Sequence, residues 1–371
     1  MLGRGRRPDQ WTLSARPRGV TVAHGVAFVG LRGSAVAAAW LALCASQAGA
    51  RPIPSDEPIR PDAGEVAVFY YPWYGTPAHD GEYLHWGQNG AVAPVAIASS
   101  HFPMRGVYSS SDRAVVDAQM DEISSAGIET VVVSWWGSGS AEDARLDVTA
   151  LAAGARGLHV AVHIEPYPGR TPESVGEDVR TLRERGITDF YVYDSTSAPD
   201  DRWATVNAGL DGVRVFANTG LPGKAVAGGF EGLYTYDVLT YNGSSFPRMC
   251  ESARRLRLVC APSVGPGFDA RRVTGDPRVR PRLDGATYDQ MWRAAVRAAP
   301  EVVTVTSYNE WHEGTQIEPA QPIGRAYASY EGAWGLTGLS AARAYLYRTA
   351  VWADRYAARM AQNNAVASLR R

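Results

Sequence analysis

The stretch VAVFYY at residues 66–71 decides the fold, because it is a short and almost wholly apolar run of β-branched and aromatic residues. Seven further runs of the same kind follow it: Thr130–Trp135, His159–Ile164, Phe190–Tyr193, Val213–Ala217, Leu233–Leu239, Leu256–Ala261 and Val302–Tyr308. Strands that are buried on both faces of a parallel sheet have near-continuous apolar sequences of this length. The sequence therefore predicts eight parallel strands.

Segments with helical spacing lie between most of these runs. Val116, Met120 and Ile123, for example, recur at the intervals of one helix face, and Gly127 stands where that helix would end. Alternating strands and helices indicate an α/β protein, and we predict one (β/α)8 TIM barrel over residues 65–371. An open doubly wound sheet is less favoured, because no glycine-rich phosphate loop follows the first run.

Residues 1–50 have the composition of a targeting segment. Several arginines precede the apolar run Ala35–Ala45, and Ala48-Gly49-Ala50 offers the small residues of a cleavage site. We predict a secreted protein whose signal peptide is cleaved near Ala50, with an extended lead-in at residues 51–64. A form tethered by an uncleaved signal anchor is the alternative, although the apolar run is short for a bilayer span.

Composition gives no reason to expect a nucleic-acid or membrane-surface partner, because the formal net charge is -1 at pH 7. No obligatory protein partner is evident either. The chain has 11 Trp and 18 Tyr against 8 Phe, a bias that suits a sugar-binding cleft but equally a Trp-rich core. Cys250 and Cys260 lie in the predicted barrel, and we favour two free buried thiols over a bridge.

Two glutamates follow the eighth run, in the stretch YNEWHEG at residues 308–314. Functional side chains of such barrels sit where the strands end. Glycoside cleavage needs one carboxylic acid to protonate the leaving oxygen and a second carboxylate at the anomeric centre. The proximity of Glu310 and Glu313, with Trp311 between them, would raise one of the two pKa values. We therefore predict that Glu310 and Glu313 are the catalytic pair of a glycosidase.

Other roles for these glutamates are less favoured. One of them could cap the loop or pair with an arginine instead. A metal site made of Glu310, His312 and Glu313 lacks the HExxH pattern, and three ligands so close in sequence strain most geometries. We predict no metal and no cofactor.

Two further strand ends carry polar or aromatic residues. His163 and Glu165, after the third run, could form a structural ion pair or contact a substrate. Trp135 and Trp136 are adjacent in a predicted strand, so one should face the core and the other could line a cleft.

Eight stretches resemble glycoside hydrolase family 99, the endo-α-1,2-mannosidases and endo-α-1,2-mannanases. They are FYYPWYGTP (69–77), YLHWG (83–87), VVSWWG (132–137), VAVHIEPYPGR (160–170), FYVYDS (190–195), GFEGLYTYD (229–237), PSVGPGFD (262–269) and TSYNEWHEGTQIEP (306–319). The resemblance implies a (β/α)8 barrel that cleaves internal α-mannosyl bonds, in α-mannan or N-glycan-type oligosaccharides, with retention of configuration and without metal.

The resemblance also implies roles for single residues. Glu310 would deprotonate the 2-hydroxyl of the reacting mannose, and Glu313 would protonate the departing oxygen, so that a 1,2-anhydro sugar forms. The residues expected to bind the substrate are Tyr71, His85, Trp136, His163, Glu165, Tyr236, Asn309 and His312. Two alternatives stay open: another retaining barrel glycosidase, with Glu165 as its second carboxylate, and a catalytically inactive carbohydrate-binding barrel.

Overall fold

Eight parallel strands form the centre of the computed structural model, which describes residues 64–324 and 326–368. The strands are β1 Glu65–Tyr70, β2 Thr130–Trp135, β3 His159–Ile164, β4 Asp189–Val192, β5 Arg214–Asn218, β6 Gly232–Tyr234, β7 in two pieces (Val259–Ala261 and Ser263–Val264) and β8 Val302–Val305. Each of the eight predicted runs overlaps one of these strands. The sixth and eighth are shorter than predicted, because the chain leaves the sheet after Tyr234 and Val305 to build loops.

The sheet closes into a barrel at β7. Each strand pairs in parallel with the next along the chain, and β1 also pairs with β8. The first piece of β7 pairs with β6 and the second with β8. Pro262, between the two pieces, lacks an N–H group, but its carbonyl accepts a 3.1 Å hydrogen bond from the N–H of Thr304. The predicted (β/α)8 barrel is confirmed.

One helix follows each strand. The helices are α1 Arg113–Ser125, α2 Ala141–Gly154, α3 Pro172–Glu184, α4 Asp200–Asn207, α5 Pro222–Ala227, α6 Phe246–Arg255, α7 Ala286–Ala298 and α8 Ala344–Ser368. Short helices Pro77–Asp80 and Gly338–Ala342, and an antiparallel pair Phe268–Asp269 with Val279–Arg280, lie in the loops. The side chains of Asp112, Ser140 and Thr171 cap α1, α2 and α3.

Side chains alternate between the two faces of the sheet. In β1, Val66 and Val68 pack with the helices, whereas Ala67 and Phe69 belong to a separate interior cluster. That interior is rich in aromatic rings: Phe69, Tyr71, Tyr191, Phe216, Tyr234 and Tyr236. The barrel is therefore filled, and the space for a ligand lies above these rings, at the C-terminal ends of the strands.

The N-terminal predictions fall mostly outside the described residues. The targeting segment at residues 1–50 and all but the last residue of the lead-in at 51–64 belong to that part. Among the helices of the described residues, none has the length and apolar character needed to cross a membrane.

The prediction of two free thiols is wrong, because Cys250 and Cys260 form a disulfide. Cys250 lies on α6 and Cys260 on β7, the strand that directly follows this helix. The connection is short and folds back at once, so the two Cα atoms come within 5.3 Å of each other. This distance lies in the range that a disulfide requires, and sequence spacing alone does not reveal it.

We expect the double substitution Cys250→Ser, Cys260→Ser to lower the free energy of unfolding by about 2–3 kcal/mol, because the bridge closes a loop of ten residues in the unfolded chain. Urea unfolding of the oxidised wild type and the variant measures this difference. Equal midpoints, or alkylation of both cysteines in the denatured, unreduced wild type, would contradict the bridge.

Candidate active site

The loop at residues 306–319, which leaves β8, places Glu310 at the mouth of the barrel. Glu310 is 3% exposed. Its N–H donates to Oγ of Ser307 at 2.8 Å, and its Oε1 accepts the N–H of His312 at 2.9 Å. The carboxyl group is thus oriented by the loop that carries it.

Glu313 is half-buried and opens onto a pocket of about 150 Å³. The other residues lining this pocket are Tyr193, Tyr236, Asp237, Val238, Leu239, Phe268 and Arg278. The hydroxyl of Tyr236 donates to Oε2 of Glu313 at 3.4 Å and is also hydrogen-bonded to the hydroxyl of Tyr71. The structure therefore brings Tyr71 and Tyr236, both predicted site residues, together with Glu313.

The two glutamates influence each other's protonation. Burial, and then the charge of Glu313, raises the pKa of Glu310 well above its ordinary value. Burial, followed by the charges of Asp237 and Glu165, raises the pKa of Glu313 to about 7. Like charges in a poorly solvated site resist simultaneous ionisation. Near neutral pH the pair consequently offers a carboxylic acid beside a carboxylate, the combination that acid–base catalysis requires.

Four rings, those of Trp73, His85, Trp136 and His312, form what we call the aromatic wall. The rings of Trp73 and His85 are stacked, with centroids 4.7 Å apart and planes within 8°. The centroid of Trp73 is 5.8 Å from that of His312 and 6.4 Å from that of Trp136. Trp136 is half-buried, whereas Trp135 lies in the outer core, where its Nε1 donates to Asp143 at 2.9 Å. The side chains of the two adjacent tryptophans therefore point to opposite sides of the sheet, as strand alternation predicts.

His163 and Glu165 contact each other, with Nδ1 and Oε1 2.9 Å apart. Nε2 of His163 is 2.8 Å from the hydroxyl of Tyr234, and Ser134 donates to Oε1 of Glu165 at 2.9 Å. The structural pairing is therefore present, and the charge of Glu165 also helps to raise the pKa of Glu313. A direct contact of either residue with a substrate stays a prediction.

Asn309 is fully buried and ties the loop to the end of β1. Its Oδ1 accepts the N–H of Tyr71 at 2.7 Å, and its Nδ2 donates to the carbonyl of Tyr71 at 3.0 Å. The side-chain amide thus replaces a pair of strand-to-strand hydrogen bonds. This contact gives Asn309 a positioning role, and its predicted role in substrate binding is untested.

His312 and His85 are both neutral near pH 7. Nε2 of His312 donates to the carbonyl of His85 at 2.6 Å, and its Nδ1 lies 3.8 Å from Oε1 of Glu310. Burial lowers the pKa of His312 to about 4. Burial, and then the neighbouring His312, lowers the pKa of His85 to about 3. The two imidazoles therefore add polar groups to the site without adding charge.

Glu318 is a residue of the site region that the sequence did not single out. Its carboxylate is fully buried and accepts four hydrogen bonds of 2.8–2.9 Å, from Arg105, Tyr108, Gln119 and Trp311. It fixes the indole of Trp311, the residue that follows Glu310 in the sequence. Glu318 lies inside the family motif, but three of its donors come from distant parts of the sequence, so its role could not be seen there. Asp237 was missed as well, because it lies inside the predicted run Leu233–Leu239.

Among the residues that the structure describes, no group of three or more His, Cys, Asp and Glu side chains has the arrangement of a metal site. The expectation that activity needs no metal stays a prediction.

A (β/α)8 barrel with two coupled carboxyl groups at its mouth, bordered by aromatic rings, has the architecture of a glycoside hydrolase. Comparison with known proteins agrees: residues 63–358 match the model of glycosyl hydrolase family 99, and the chain belongs to this family. It is a glycoside hydrolase.

Two curated relatives and one solved structure illustrate the similarity. The chain is 32% identical to a glycoprotein endo-alpha-1,2-mannosidase-like protein of Danio rerio, over 72% of this chain and 74% of that protein. It is 31% identical to the glycoprotein endo-alpha-1,2-mannosidase of Xenopus laevis, over 74% of each. The structure of the family 99 endo-alpha-mannosidase from Bacteroides thetaiotaomicron superimposes with a TM-score of 0.72 at 28% identity, over 80% of this chain and 98% of that one.

We expect Glu313→Gln to stabilise the protein at high pH. The pKa of Glu313 rises from an ordinary 4.5 to about 7 on folding, so the native state binds more protons between these values and the unfolding free energy falls as pH rises. Glutamine removes this loss, which amounts to about 2 kcal/mol at pH 8 after allowance for partial exposure.

Melting temperatures at pH 4 and pH 8 measure the effect, with the exposed Glu184→Gln as a control that should show no pH-dependent gain. A gain for Glu313→Gln of the same size at both pH values would contradict the explanation.

Proposed function

We propose that the chain is a retaining endo-α-1,2-mannosidase that hydrolyses internal α-mannosyl bonds of α-mannan or mannose-containing oligosaccharides. The observation that carries the proposal is the coupled pair Glu310 and Glu313 at the mouth of a family 99 barrel. The names of the relatives, endo-alpha-1,2-mannosidases at 31–32% identity, support the choice of sugar.

The first step uses the substrate's own 2-hydroxyl. In an α-mannoside this hydroxyl and the leaving group are trans and both axial, so the 2-oxygen lies behind the bond that breaks. In the tautomer of the pair that carries the shared proton on Glu313, the Glu310 carboxylate takes the hydroxyl proton, a bond forms between O2 and C1, and the departing oxygen takes a proton from Glu313. The raised pKa of Glu310 makes its ionised form the stronger base. An internal nucleophile of this kind has the advantage of proximity without a nucleophile from the protein.

The second step reverses these proton movements. The Glu313 carboxylate takes a proton from water, the water oxygen bonds to C1, and the C1–O2 bond breaks as O2 recovers its proton from Glu310. Two inversions give net retention. Supporting this division of roles, Glu313 borders the open pocket, where a leaving sugar and then water can enter, whereas Glu310 is enclosed. A pKa of about 7 suits Glu313, because it must first give and then take a proton.

The two alternatives have less support. In a scheme with Glu165 as second carboxylate, that group would have to be free, but it is held by His163 and Ser134. A binding protein without catalysis has no need for two coupled carboxyl groups. Turnover of an α-1,2-mannan with a product of retained configuration excludes the binding protein, and the effect of Glu165→Gln separates the two enzymatic schemes.

We also propose that the protein is secreted. The composition of residues 1–50 supports export, and so does the buried bridge between Cys250 and Cys260, because such bridges persist mainly in oxidising compartments. Mass spectrometry of the exported form should find a mature N-terminus near Arg51. Recovery of the intact chain in the membrane fraction would favour the signal anchor instead.

Glu310→Gln and Glu313→Gln should each fold and lose at least about a thousandfold in kcat, a change of about 4 kcal/mol in the barrier. With a fluoride leaving group, which needs no proton, Glu313→Gln should recover in part and Glu310→Gln should not. Hydrolysis of a mannan fragment and of the matching glycosyl fluoride tests this. Equal recovery of the two variants would refute the separate roles, and activity near wild type in either would refute the pair.

Trp136 should favour mannose over glucose in the subsite beyond the reacting mannose, because an indole face offers no hydroxyl to a glucose 2-hydroxyl. We expect mannosyl-α-1,3-mannosyl substrates to have a kcat/KM about tenfold to thirtyfold above their glucosyl counterparts, and Trp136→Tyr to narrow this ratio. The matched control is Trp135→Tyr in the outer core, which should lower the melting temperature and leave the ratio unchanged. An unchanged ratio in Trp136→Tyr would remove Trp136 from the subsite.

A further inference from the structure

The segment between β1 and α1, residues 71–112, carries half of the aromatic wall. Trp73 lies near its beginning and His85 near its middle, and within it the regular helices are the short Pro77–Asp80 and one 3₁₀ turn. A long irregular segment has many conformations, so rings on it keep a fixed position only where other contacts hold the backbone.

A single guanidinium holds this segment at three points. Arg145, on α2, is 6% exposed. Its Nη1 donates to the carbonyl of Pro72 at 2.8 Å, its Nη2 to Oδ1 of Asp80 at 2.7 Å, and its Nε to Oγ of Ser111 at 3.0 Å. Pro72 directly precedes Trp73, Asp80 ends the short helix, and Ser111 lies near the end of the segment. Arg145 therefore joins the beginning, the short helix and the end of the segment.

Asp80 completes the arrangement from the side of the segment. Its Oδ1 also accepts the hydroxyl of Ser111 at 2.7 Å, and its Oδ2 accepts the N–H of Thr76 at 2.9 Å. The carboxylate and guanidinium form a buried ion pair, with both side chains 7% exposed. The planar fork of arginine satisfies several acceptors at fixed angles, which a lysine ammonium cannot reproduce.

We propose that Arg145 and Asp80 are positioning residues for substrate binding, which fix Trp73 and His85 in the aromatic wall. The inference rests on the proposed function in that the wall is taken to bind sugar. Glu310 and Glu313 belong to the β8 loop, where Glu310 donates its N–H to Ser307 and accepts the N–H of His312 at its Oε1. The bonds that join the segment to this loop include those of Tyr71, Tyr74 and the carbonyl of His85, and none of these involves Arg145 or Asp80. Losing the contacts of Arg145 and Asp80 should therefore move the wall further than the catalytic pair. The expected signature is a higher KM with a nearly unchanged kcat.

The test compares Arg145→Lys and Asp80→Asn with a control at Arg156, which lies near the C-terminal end of the helix that carries Arg145. Arg156, just beyond α2, donates to Asp117 and Asp121 on α1 and to the carbonyl of Ala152, all of which lie outside residues 71–112. With an α-1,2-mannan oligosaccharide we expect KM to rise about tenfold in the first two variants, with kcat within about threefold of wild type. Arg156→Lys should leave both constants unchanged, and Arg145→Met should raise KM more than Arg145→Lys.

A second measurement separates this inference from the proposed function. In the inactive Glu310→Gln background, calorimetry should show a Kd for the same oligosaccharide about tenfold higher when Arg145→Lys is added. Unchanged KM and Kd in the Arg145 and Asp80 variants, or a fall in kcat at constant KM, would overturn the positioning role.

If these variants fail to fold, Ser111→Ala, which removes one bond from the arrangement, should still raise KM. Wild type that neither binds nor cleaves the oligosaccharide would refute the proposed function itself, whereas normal wild-type turnover with unaltered variants would refute the positioning role alone.

Discussion

Two carboxyl groups in a poorly solvated site, Glu310 and Glu313, are the constraint on which the rest of the structure depends. Burial makes each group resist ionisation, and proximity makes the charge of one oppose the charge of the other. Such a pair is costly for the folded state, so the surrounding protein must hold it in place. A rigid, filled barrel supplies that support, because its aromatic interior leaves the mouth as the place where polar chemistry can be accommodated.

The groups that support the pair are largely uncharged, or carry a charge that other groups of the protein neutralise. Asn309 joins the loop to β1 through an amide, and His312 and His85 meet as neutral rings. Glu318 does carry a charge, but Arg105 and three further donors satisfy it below the site. Cations placed next to the pair would lower both pKa values and remove the acid form. The arrangement fixes geometry while leaving the protonation of the two glutamates to burial, to each other and to the nearby carboxylates of Asp237 and Glu165.

The sequence was sufficient for the fold and for the position of Glu310 and Glu313 at the end of the last strand, for physical reasons. Strands buried on both faces leave long apolar runs, and residues directly after such runs lie at the mouth of the barrel, so the eighth run pointed to Glu310 and Glu313. Contacts between distant segments leave no comparable trace. The disulfide depends on how α6 folds back onto β7. The roles of Glu318 and Arg145 depend on partners 34 or more positions away, apart from the bond between Glu318 and nearby Trp311. The sixth and eighth strands are shorter than their apolar sequences predict, because the chain leaves the sheet there to form the loops of the site.

The pairing of β1 with β8 has a consequence for the order of events during synthesis. The hydrogen bonds between Tyr71 and Asn309 span 238 positions, and the register of β1 with β8 joins Glu65 to Val302. Synthesis must therefore continue beyond Asn309 before the sheet can close and Glu310 can meet the end of the first strand. Contacts of such long range form slowly. A chain that stops before residue 302 consequently lacks both the strand that closes the barrel and the two glutamates at its mouth.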